Sequence, residues 1–225
     1  MNATSIIKTK DLNKSFHDPV EFQALKNINV QINQGEFVSI VGSSGSGKST
    51  LLYQISLLDT PTSGEIIIDG VTVSDFDQNQ KTQFRLKNMG FVFQDYALIP
   101  ELTATENVIL PLLMQGYDHD YSIKKAHEVL KTLGLEKQIN NLPNQLSGGE
   151  QQIVSIARAV VHSPKIIFAD EPTANLDLES SKAVIKILEE TCKKFKHTVV
   201  MVTHEEEYGK KADRIIRVVD GRVEE

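Results

Sequence analysis

A glycine-rich segment of the chain has the composition and spacing of a loop that binds phosphate. It follows the apolar run Phe37 to Val41, and its sequence is Gly42-Ser43-Ser44-Gly45-Ser46-Gly47-Lys48-Ser49-Thr50. The segment fits G-x-x-x-x-G-K-[ST] between a strand and a helix. Glycines let backbone N–H groups turn towards phosphate oxygens, and the helix N-terminus adds partial positive charge. We expect Lys48 to neutralise β- and γ-phosphates and Ser49 to offer its hydroxyl to Mg²⁺. The alternative is a glycine-rich turn with an exposed lysine, which fits this setting less well.

Two carboxylates follow a second apolar run. Lys165 to Ala169 leads directly into Asp170 and Glu171, and ligands of open parallel sheets lie beyond the carboxyl ends of the strands. We expect Asp170 to bind in the Mg²⁺ shell and Glu171 to orient and deprotonate an attacking water. The alternative is an acidic cap before the helix that begins at Leu178. A phosphate loop in the same chain favours the catalytic interpretation.

A histidine follows a third run of this kind. Thr198 to Thr203 is apolar and β-branched, and His204 comes directly after it, which places a polar side chain near the expected γ-phosphate. His204 is predicted to donate a hydrogen bond to that phosphate or to hold the water, although a satisfied loop histidine is an equal alternative. The remaining histidines lack such a setting and are interpreted as surface or packing residues: His17, His119, His127, His162 and His197.

The segment Leu146-Ser147-Gly148-Gly149-Glu150-Gln151 combines two signals. Ser147 and Glu150 form S-x-x-E, the pattern of a capping box at the start of a helix. A capping box does not need two glycines, however, and glycines behind a helix N-cap also form an anion-binding nest. A second phosphate-binding helix start in a chain with one phosphate loop indicates a site that is completed between two chains.

The elements that position these residues alternate along the chain. Continuous apolar strands between helical patterns are typical of an α/β fold with a buried, mostly parallel sheet. Asp69-Gly70 and Asp220-Gly221 predict hairpins and therefore an antiparallel β edge. Strand signals stop between Tyr96 and Val160, which predicts a helical subdomain (96–160) inserted into the α/β core (1–95 and 161–225) of a single domain, 1–225. The predicted strands are Ile28 to Ile32, Phe37 to Val41, Glu65 to Ile68, Gly90 to Phe93, Ile166 to Ala169, Val199 to Thr203 and Ile215 to Val219. The predicted helices are Lys48 to Ser56, Ile123 to Leu133, Glu150 to His162 and Leu178 to Phe195.

Composition restricts the partners of the chain. It has 225 residues, of which 40% are hydrophobic, and a net charge of -6 without clustered Lys and Arg, so we expect no nucleic acid partner. Cys192 is the only cysteine, which indicates a reducing compartment. No apolar run approaches the roughly 20 residues that span a bilayer, and Met1 to Lys10 lacks a signal-peptide core. We therefore expect a soluble, cytoplasmic chain whose membrane part, if it has one, is another protein.

Taken together, these residues resemble the ABC ATPase family over nearly the whole chain. The phosphate loop and Asp170-Glu171 match its two Walker motifs, and Leu146 to Glu150 matches its signature. The resemblance implies further roles: Gln94 contacts Mg²⁺ and the water as the glutamine-loop residue, His204 is the switch histidine, and the ring of Phe16 stacks on adenine. Asn175-Leu176-Asp177 matches the D-loop. The implied cofactors are ATP and Mg²⁺, bound head to tail by a homodimer that hydrolyses ATP.

Several segments narrow the resemblance to the macrolide-exporter and lipoprotein-release branch: Leu58 to Glu65, Gly90 to Gln94, Glu106 to Val108, Leu110 to Leu112 and Asp170 to Asp177. The branch implies a transmembrane permease partner, a peripheral location on the cytoplasmic face of the inner membrane, and a coupling helix received by Gln94 to Pro100 and the helical subdomain. The chain departs from the family in two places. Ile153 stands where an arginine is common, which puts a structural ion pair in doubt, and Phe16 replaces the more usual tyrosine.

Two alternatives come from other classes of protein. A soluble ABC ATPase that acts on DNA or ribosomes would usually carry two cassettes, a long coiled-coil insertion or basic arms, and this chain shows none of these. A phosphoryl-transferring kinase accounts for the phosphate loop alone, and it leaves the signature, Gln94 and His204 without a role.

Overall fold

The computed structural model describes residues 4–17 and 21–224. Its strands are β1 (Ser5–Phe16), β2 (Phe22–Ile28), β3 (Gln31–Asn33), β4 (Phe37–Val41), β5 (Ser63–Ile68), β6 (Val71–Thr72), β7 (Met89–Val92), β8 (Ile166–Asp170), β9 (Thr198–Val202), β10 (Arg214–Val219) and β11 (Arg222–Glu224). Its α-helices are α1 (Lys48–Ile55), α2 (Gln78–Asn88), α3 (Ala104–Met114), α4 (His119–Thr132), α5 (Gly148–Val160), α6 (Leu178–Phe195) and α7 (Glu206–Gly209).

The central sheet has the strand order β11-β10-β4-β9-β8-β7. Its strands from β10 to β7 are parallel, and β11 adds an antiparallel edge. Every residue of β4, β8 and β9 is buried, as expected for strands covered on both faces. The turn before β11 is the predicted one, with Asp220 and Gly221 at φ 46° and 74°, as two-residue hairpins require. The predicted α/β fold with a mostly parallel sheet is confirmed.

A second, antiparallel sheet lies at the N-terminal end of the chain and has the order β2-β1-β5-β6, with β3 also paired to β1. The strand predicted over Ile28 to Ile32 is wrong, because the chain passes from β2 to β3 within it. Thr9 of β1 bridges the break, since its Oγ1 donates to the carbonyl of Ile28 (2.9 Å) and accepts from the N–H of Val30 (2.9 Å). The apolar run by itself could not reveal this break, because the break is stabilised by Thr9, a residue of another strand.

Between β7 and β8 the described chain contains α-helices α3, α4 and α5 and one short 3-10 turn, Pro143–Gln145. These helices share an apolar core of their own, which includes Val108, Ala126, Leu130 and Val154. The sequence did not predict α2, and it predicted α3 only as part of the helical stretch 96–160, without its bounds. α2 is strongly polar and begins with a capping box between Asp77 and Gln80, so its helical signal lies in the cap and not in an apolar stripe.

α5 packs closely on β7 at a glycine. A Cβ on Gly90 would lie 2.1 Å from the carbonyl oxygen of Ala159 and 2.8 Å from its carbonyl carbon. A side chain at position 90 would therefore force the two backbones apart. This contact joins the helix that begins with the signature segment to the strand that leads to Gln94.

Candidate active site

The phosphate loop connects β4 to α1 in the predicted setting. Gly47 adopts φ 106° at the N-cap of α1, and a Cβ there would lie 2.8 Å from the carbonyl oxygen of Ala24, so both conformation and space require glycine. Lys48 is only 7% exposed, and its Nζ donates to the carbonyl oxygen of Ser43 at 2.9 Å. The lysine thus folds back over the loop, where its ammonium group and the N-terminus of α1 face the same space.

Asp170 ends β8 and accepts two hydrogen bonds from α1. The Oγ of Ser49 donates to Oδ1 at 3.1 Å, and the hydroxyl of Tyr53 donates to Oδ2 at 2.7 Å. Burial and the neighbouring carboxylate raise the pKa of Tyr53 to about 12. Sequence reasoning found Ser49 and Asp170 but missed Tyr53. The available signal was its place four residues after Ser49, on the same face of the helix.

Ser49 and Asp170 have the ligand chemistry that Mg²⁺ prefers. A hydroxyl and a carboxylate are hard oxygen donors, and Mg²⁺ is usually bound by one or two protein oxygens together with phosphates and water. The described residues contain no cluster of three or more His, Cys, Asp or Glu that would form an all-protein metal site. As one hydroxyl and one carboxylate, Ser49 and Asp170 fit an ion that arrives with a nucleotide. Gln94 is exposed beyond the end of β7, next to β8, and its own carbonyl accepts from Nδ2 of Asn175 at 3.2 Å.

Glu171 and His204 lie in direct contact. Oε2 of Glu171 is 2.8 Å from Nδ1 of His204 and accepts from the N–H of the same histidine at 3.2 Å. Glu171 has a left-handed backbone with φ 46°, which is unfavourable for a residue with a side chain and is typical of functional positions. Its N–H is nevertheless bonded to the carbonyl of Val202 at 3.0 Å. The sequence predicted both residues at strand ends, and the structure adds their pairing.

The signature segment forms the predicted capping box. Oγ of Ser147 accepts from the N–H of Glu150 at 3.3 Å, and Oε2 of Glu150 accepts from the N–H of Ser147 at 2.8 Å. These bonds lower the pKa of Glu150. Both glycines also have close neighbours, since a Cβ on Gly148 would lie 2.9 Å from the hydroxyl of Tyr96 and one on Gly149 2.7 Å from Oγ of Ser180. Within the described residues, no hydrogen bond joins this segment to the phosphate loop of the same chain.

Phe16 ends β1 with its ring 43% exposed, and the Nζ of Lys14 lies 4.9 Å from the ring centroid. Phe22 is its partner across the strand pair and is 57% exposed. Residues directly opposite in an antiparallel pair point to the same face. The end of the β1–β2 pair therefore presents two aromatic rings, of which the sequence identified only Phe16.

Arg158 of α5 holds the loop that follows Gln94. Its guanidinium donates to the carbonyl oxygens of Tyr96 (2.9 Å) and Ala97 (2.5 Å), two consecutive residues with left-handed backbones at φ 59° and 50°. The departure at Ile153 has a local explanation: this side chain packs against the apolar core of the helices. The basic residue that fixes α5 to the loop is thus Arg158, which sequence reasoning did not single out.

Three features together define a P-loop nucleotide hydrolase. They are the phosphate loop, the carboxylate pair at the end of β8 and the parallel sheet that aligns them. The chain belongs to the ABC transporter family, whose pattern it matches over residues 25–174. It is an ATP-binding cassette with ATPase activity. Among the described residues, no helix is both long enough and apolar enough to cross a membrane.

The chain is similar to proteins of transport systems. It is 44% identical to the macrolide export ATP-binding/permease protein MacB of Mannheimia succiniciproducens over 220 residues, which are 97% of this chain and 34% of that protein. It is 43% identical to the lipoprotein-releasing system ATP-binding protein LolD of Geobacter metallireducens over 221 residues, covering 98% of both.

A solved structure has the same fold over almost the full length. The ATP-binding cassette MJ0796 of Methanocaldococcus jannaschii is 46% identical over 224 residues, covering 97% of this chain and 95% of that protein. Its dimeric post-hydrolysis structure, bound to ADP and Pi, superposes with a TM-score of 0.90 at 44% identity and covers 98% of this chain and 97% of that one.

Proposed function

We propose that two copies of this chain bind two ATP–Mg²⁺ head to tail and that their closure drives a separate transmembrane permease. The observation that carries the proposal is that the chain has two elements of the phosphate-binding type, the loop that opens α1 and the glycine-containing start of α5. The signature segment makes no described hydrogen bond to the phosphate loop of its own chain, while its glycines are tightly packed by Tyr96 and Ser180. A second copy in the opposite orientation would place each signature against the other phosphate loop, and MJ0796 is dimeric.

The roles of the residues follow from their positions. Phe16 stacks on adenine, and residues 42–50 surround the phosphates, with the ammonium of Lys48 compensating their charge. Ser49, Asp170 and Gln94 would hold Mg²⁺, which would lower the negative charge on the β- and γ-phosphates when bound. Glu171 accepts the proton of the attacking water. His204 keeps that carboxylate in place through two hydrogen bonds, and in the closed dimer it would contact the γ-phosphate.

The partner signature completes the site. In the closed dimer Ser147, Gly148, Gly149 and Glu150 of one copy face the γ-phosphate bound by the other, with the N-terminus of α5 directed at it. The capping box is compatible with this role, because Ser147 Oγ can donate to a phosphate oxygen in place of its 2.9 Å bond to Glu150.

The permease contact is proposed at a groove between the core and the helices. Its cavity of about 380 Å³ is lined mainly by apolar side chains: Leu58, Leu86, Met89, Phe91, Phe93, Leu110, Pro111 and Met114. Leu58 and Met114 among these residues are 42% and 68% exposed, so the groove offers apolar surface to a partner. The similarity to MacB and LolD supports the macrolide-export or lipoprotein-release branch, with the chain peripheral on the cytoplasmic face of the inner membrane.

Two substitutions test whether the site is shared between copies. Lys48→Ala removes the ammonium group that would compensate the charge of the phosphates. The variant should therefore lose tight ATP binding as a monomer. Ser147→Arg places bulk in the site of the partner, so it should bind ATP normally but lose ATP-dependent dimerisation and phosphate release. Isothermal titration with ATP and Mg²⁺ measures binding, and size-exclusion chromatography measures assembly. Thermal unfolding without nucleotide controls for the lost helix cap.

The opposite pattern would contradict the shared site. A Ser147→Arg protein that fails to bind ATP as a monomer, yet dimerises at saturating ATP, would place the signature in the site of its own chain.

A further inference from the structure

The carboxylate of Asp170 is held from two points on one helix. Ser49 Oγ binds Oδ1 at 3.1 Å and the hydroxyl of Tyr53 binds Oδ2 at 2.7 Å. Residues four apart lie one above the other on a helix, so both donors approach from the α1 side. Because each carboxylate oxygen has its own donor, rotation of the carboxylate about its terminal torsion breaks at least one bond. Without the second donor this torsion would be soft.

The ring of Tyr53 is fixed before any ligand arrives. It is partly buried and packs against the main apolar core, which contains Leu12, Ile40 and Leu52 among others. A phenylalanine could fill the same space, so packing alone does not require the hydroxyl. The hydroxyl instead meets a carboxylate that is itself only 8% exposed, and buried carboxylates are costly unless they accept hydrogen bonds.

We propose that Tyr53 is a positioning residue for Asp170 that sets how much Mg²⁺ the ATPase needs. By occupying Oδ2, it keeps Oδ1 and the hydroxyl of Ser49 together on the side where an ion brought by the nucleotide would bind. It also removes Oδ2 as a competing acceptor. The inference rests on the proposed role of Asp170 in the Mg²⁺ shell, and it assigns Tyr53 no contact with nucleotide or ion.

The test compares Mg²⁺ dependence in four variants of the full chain: Tyr53→Phe, Tyr121→Phe, Asp170→Asn and the double variant with Asp170→Asn and Tyr53→Phe. Tyr53→Phe should raise the Mg²⁺ concentration for half-maximal phosphate release about tenfold, the loss expected for one hydrogen bond to a charged group. Isothermal titration should show unchanged ATP affinity in EDTA and a smaller gain on adding Mg²⁺. Tyr121→Phe, on α4 of the other half of the chain, should behave as wild type. In an Asp170→Asn background Tyr53→Phe should add little, because the shared carboxylate is already gone.

A spectroscopic readout separates positioning from general damage. Adding Mg²⁺ to the ATP-bound protein should change the near-ultraviolet tyrosine difference spectrum of wild type and Tyr121→Phe, and this change should be absent in Tyr53→Phe. If Tyr53→Phe does not fold, Tyr53→Gln, which keeps an N–H donor, should need less Mg²⁺ than Tyr53→Leu, which has none.

Two failures have different meanings. If Asp170→Asn keeps the wild-type Mg²⁺ requirement, the proposed function of Asp170 is wrong. The inference about Tyr53 alone is overturned if Asp170→Asn raises the Mg²⁺ requirement while Tyr53→Phe leaves it within about twofold of wild type. Where Tyr53→Phe does not fold, the same conclusion follows if Tyr53→Gln and Tyr53→Leu need equal Mg²⁺.

Discussion

At the scale of single residues, the proposed role of Glu171 as the base is linked to its backbone conformation. Its left-handed backbone at φ 46° is sustained by the N–H bond to Val202 and by two hydrogen bonds from His204 to Oε2. A carboxylate fixed through one oxygen can use the other to accept a proton without reorganising. The energetic cost of the backbone conformation is thus a reason to assign the base to this position.

Glu171→Gln should separate binding from hydrolysis. Glutamine retains a carbonyl oxygen for the bonds from His204 but cannot take the proton, so phosphate release should fall about 10²–10⁴-fold, or about 3–5 kcal/mol in activation free energy. ATP affinity should not weaken, since a negative charge near the γ-phosphate is removed. Size-exclusion chromatography with ATP should therefore show an accumulated dimer.

Asp170→Asn is the matched control for this carboxylate pair, because it should impair Mg²⁺ dependence as well as rate. Hydrolysis by Glu171→Gln within a few-fold of wild type would show that the base lies elsewhere, and His204 would be the next candidate.

Cys192 illustrates a residue whose environment makes it unreactive. Burial raises the pKa of its thiol to about 11, and its Sγ is bonded to the carbonyl of Gly35 at 3.3 Å. Because the thiolate is the nucleophile and a raised pKa keeps the thiol protonated at pH 8, the folded protein should resist iodoacetamide. Mass spectrometry after a short exposure should show unmodified protein in buffer and complete alkylation in urea. Rapid alkylation of the folded chain would contradict this prediction.

At the scale of secondary-structure elements, α5 connects the signature to the catalytic edge of the sheet. It begins with the capping box of Ser147, packs on β7 at Gly90 and holds the carbonyls of the loop after Gln94 through Arg158. Gln152 of the same helix donates to the carbonyl oxygens of Phe93 (3.2 Å) and Pro172 (2.7 Å). One helix therefore contacts the segments that follow both β7 and β8.

Gly90→Ala should weaken this connection. The new Cβ would lie 2.1 Å from a backbone oxygen, and backbone cannot move aside as a flexible side chain can, so we expect a loss of about 3 kcal/mol, the upper end for overpacking. Urea unfolding measures it. Gly116→Ala is the control, because its Cβ would meet nothing within 4 Å and only the φ of 84° is unfavourable, which costs about 1 kcal/mol. Equal losses in both variants would refute the close-packing argument.

At the scale of the whole molecule, the apolar groove borders the loop that follows Gln94, since Ala97 of that loop lines the groove. Leu58 and Met114 border the groove, Arg158 lines it, and the same arginine binds the carbonyls of Tyr96 and Ala97. A permease segment bound in the groove would therefore contact the residue that fixes the glutamine loop.

Met114→Glu should weaken the complex with the permease. It introduces a charge that must be desolvated when an apolar partner covers the groove, so recovery of the complex in detergent should fall, as it should for the charge reversal Glu101→Lys in the adjoining loop. ATP affinity of the isolated chain checks that the nucleotide site is intact. Val71→Glu, which alters an exposed apolar residue of β6, is the matched control. Undiminished recovery with both Met114→Glu and Glu101→Lys would place the permease contact elsewhere.

The sequence by itself determined the chemistry and the elements that carry it. Strand runs that end in a phosphate loop, in Asp170-Glu171 and in His204 must bring those residues to one edge of a parallel sheet, because the carboxyl ends of parallel strands align. Asp220-Gly221 specified the turn between β10 and β11, and Ser147 with Glu150 specified the N-terminal cap of α5. Both signals act within four residues of sequence.

Only the tertiary structure decided which of these residues touch. Three contacts join residues that are far apart in the sequence. Glu171 and His204 are 33 positions apart, Tyr53 and Asp170 are 117 apart, and Arg158 and the loop carbonyl of Ala97 are 61 apart. The break between β2 and β3 likewise depends on Thr9, 19 residues from Ile28. Local patterns report propensity and periodicity, whereas such contacts depend on how helices and sheets pack, which is set by the shape of the whole core.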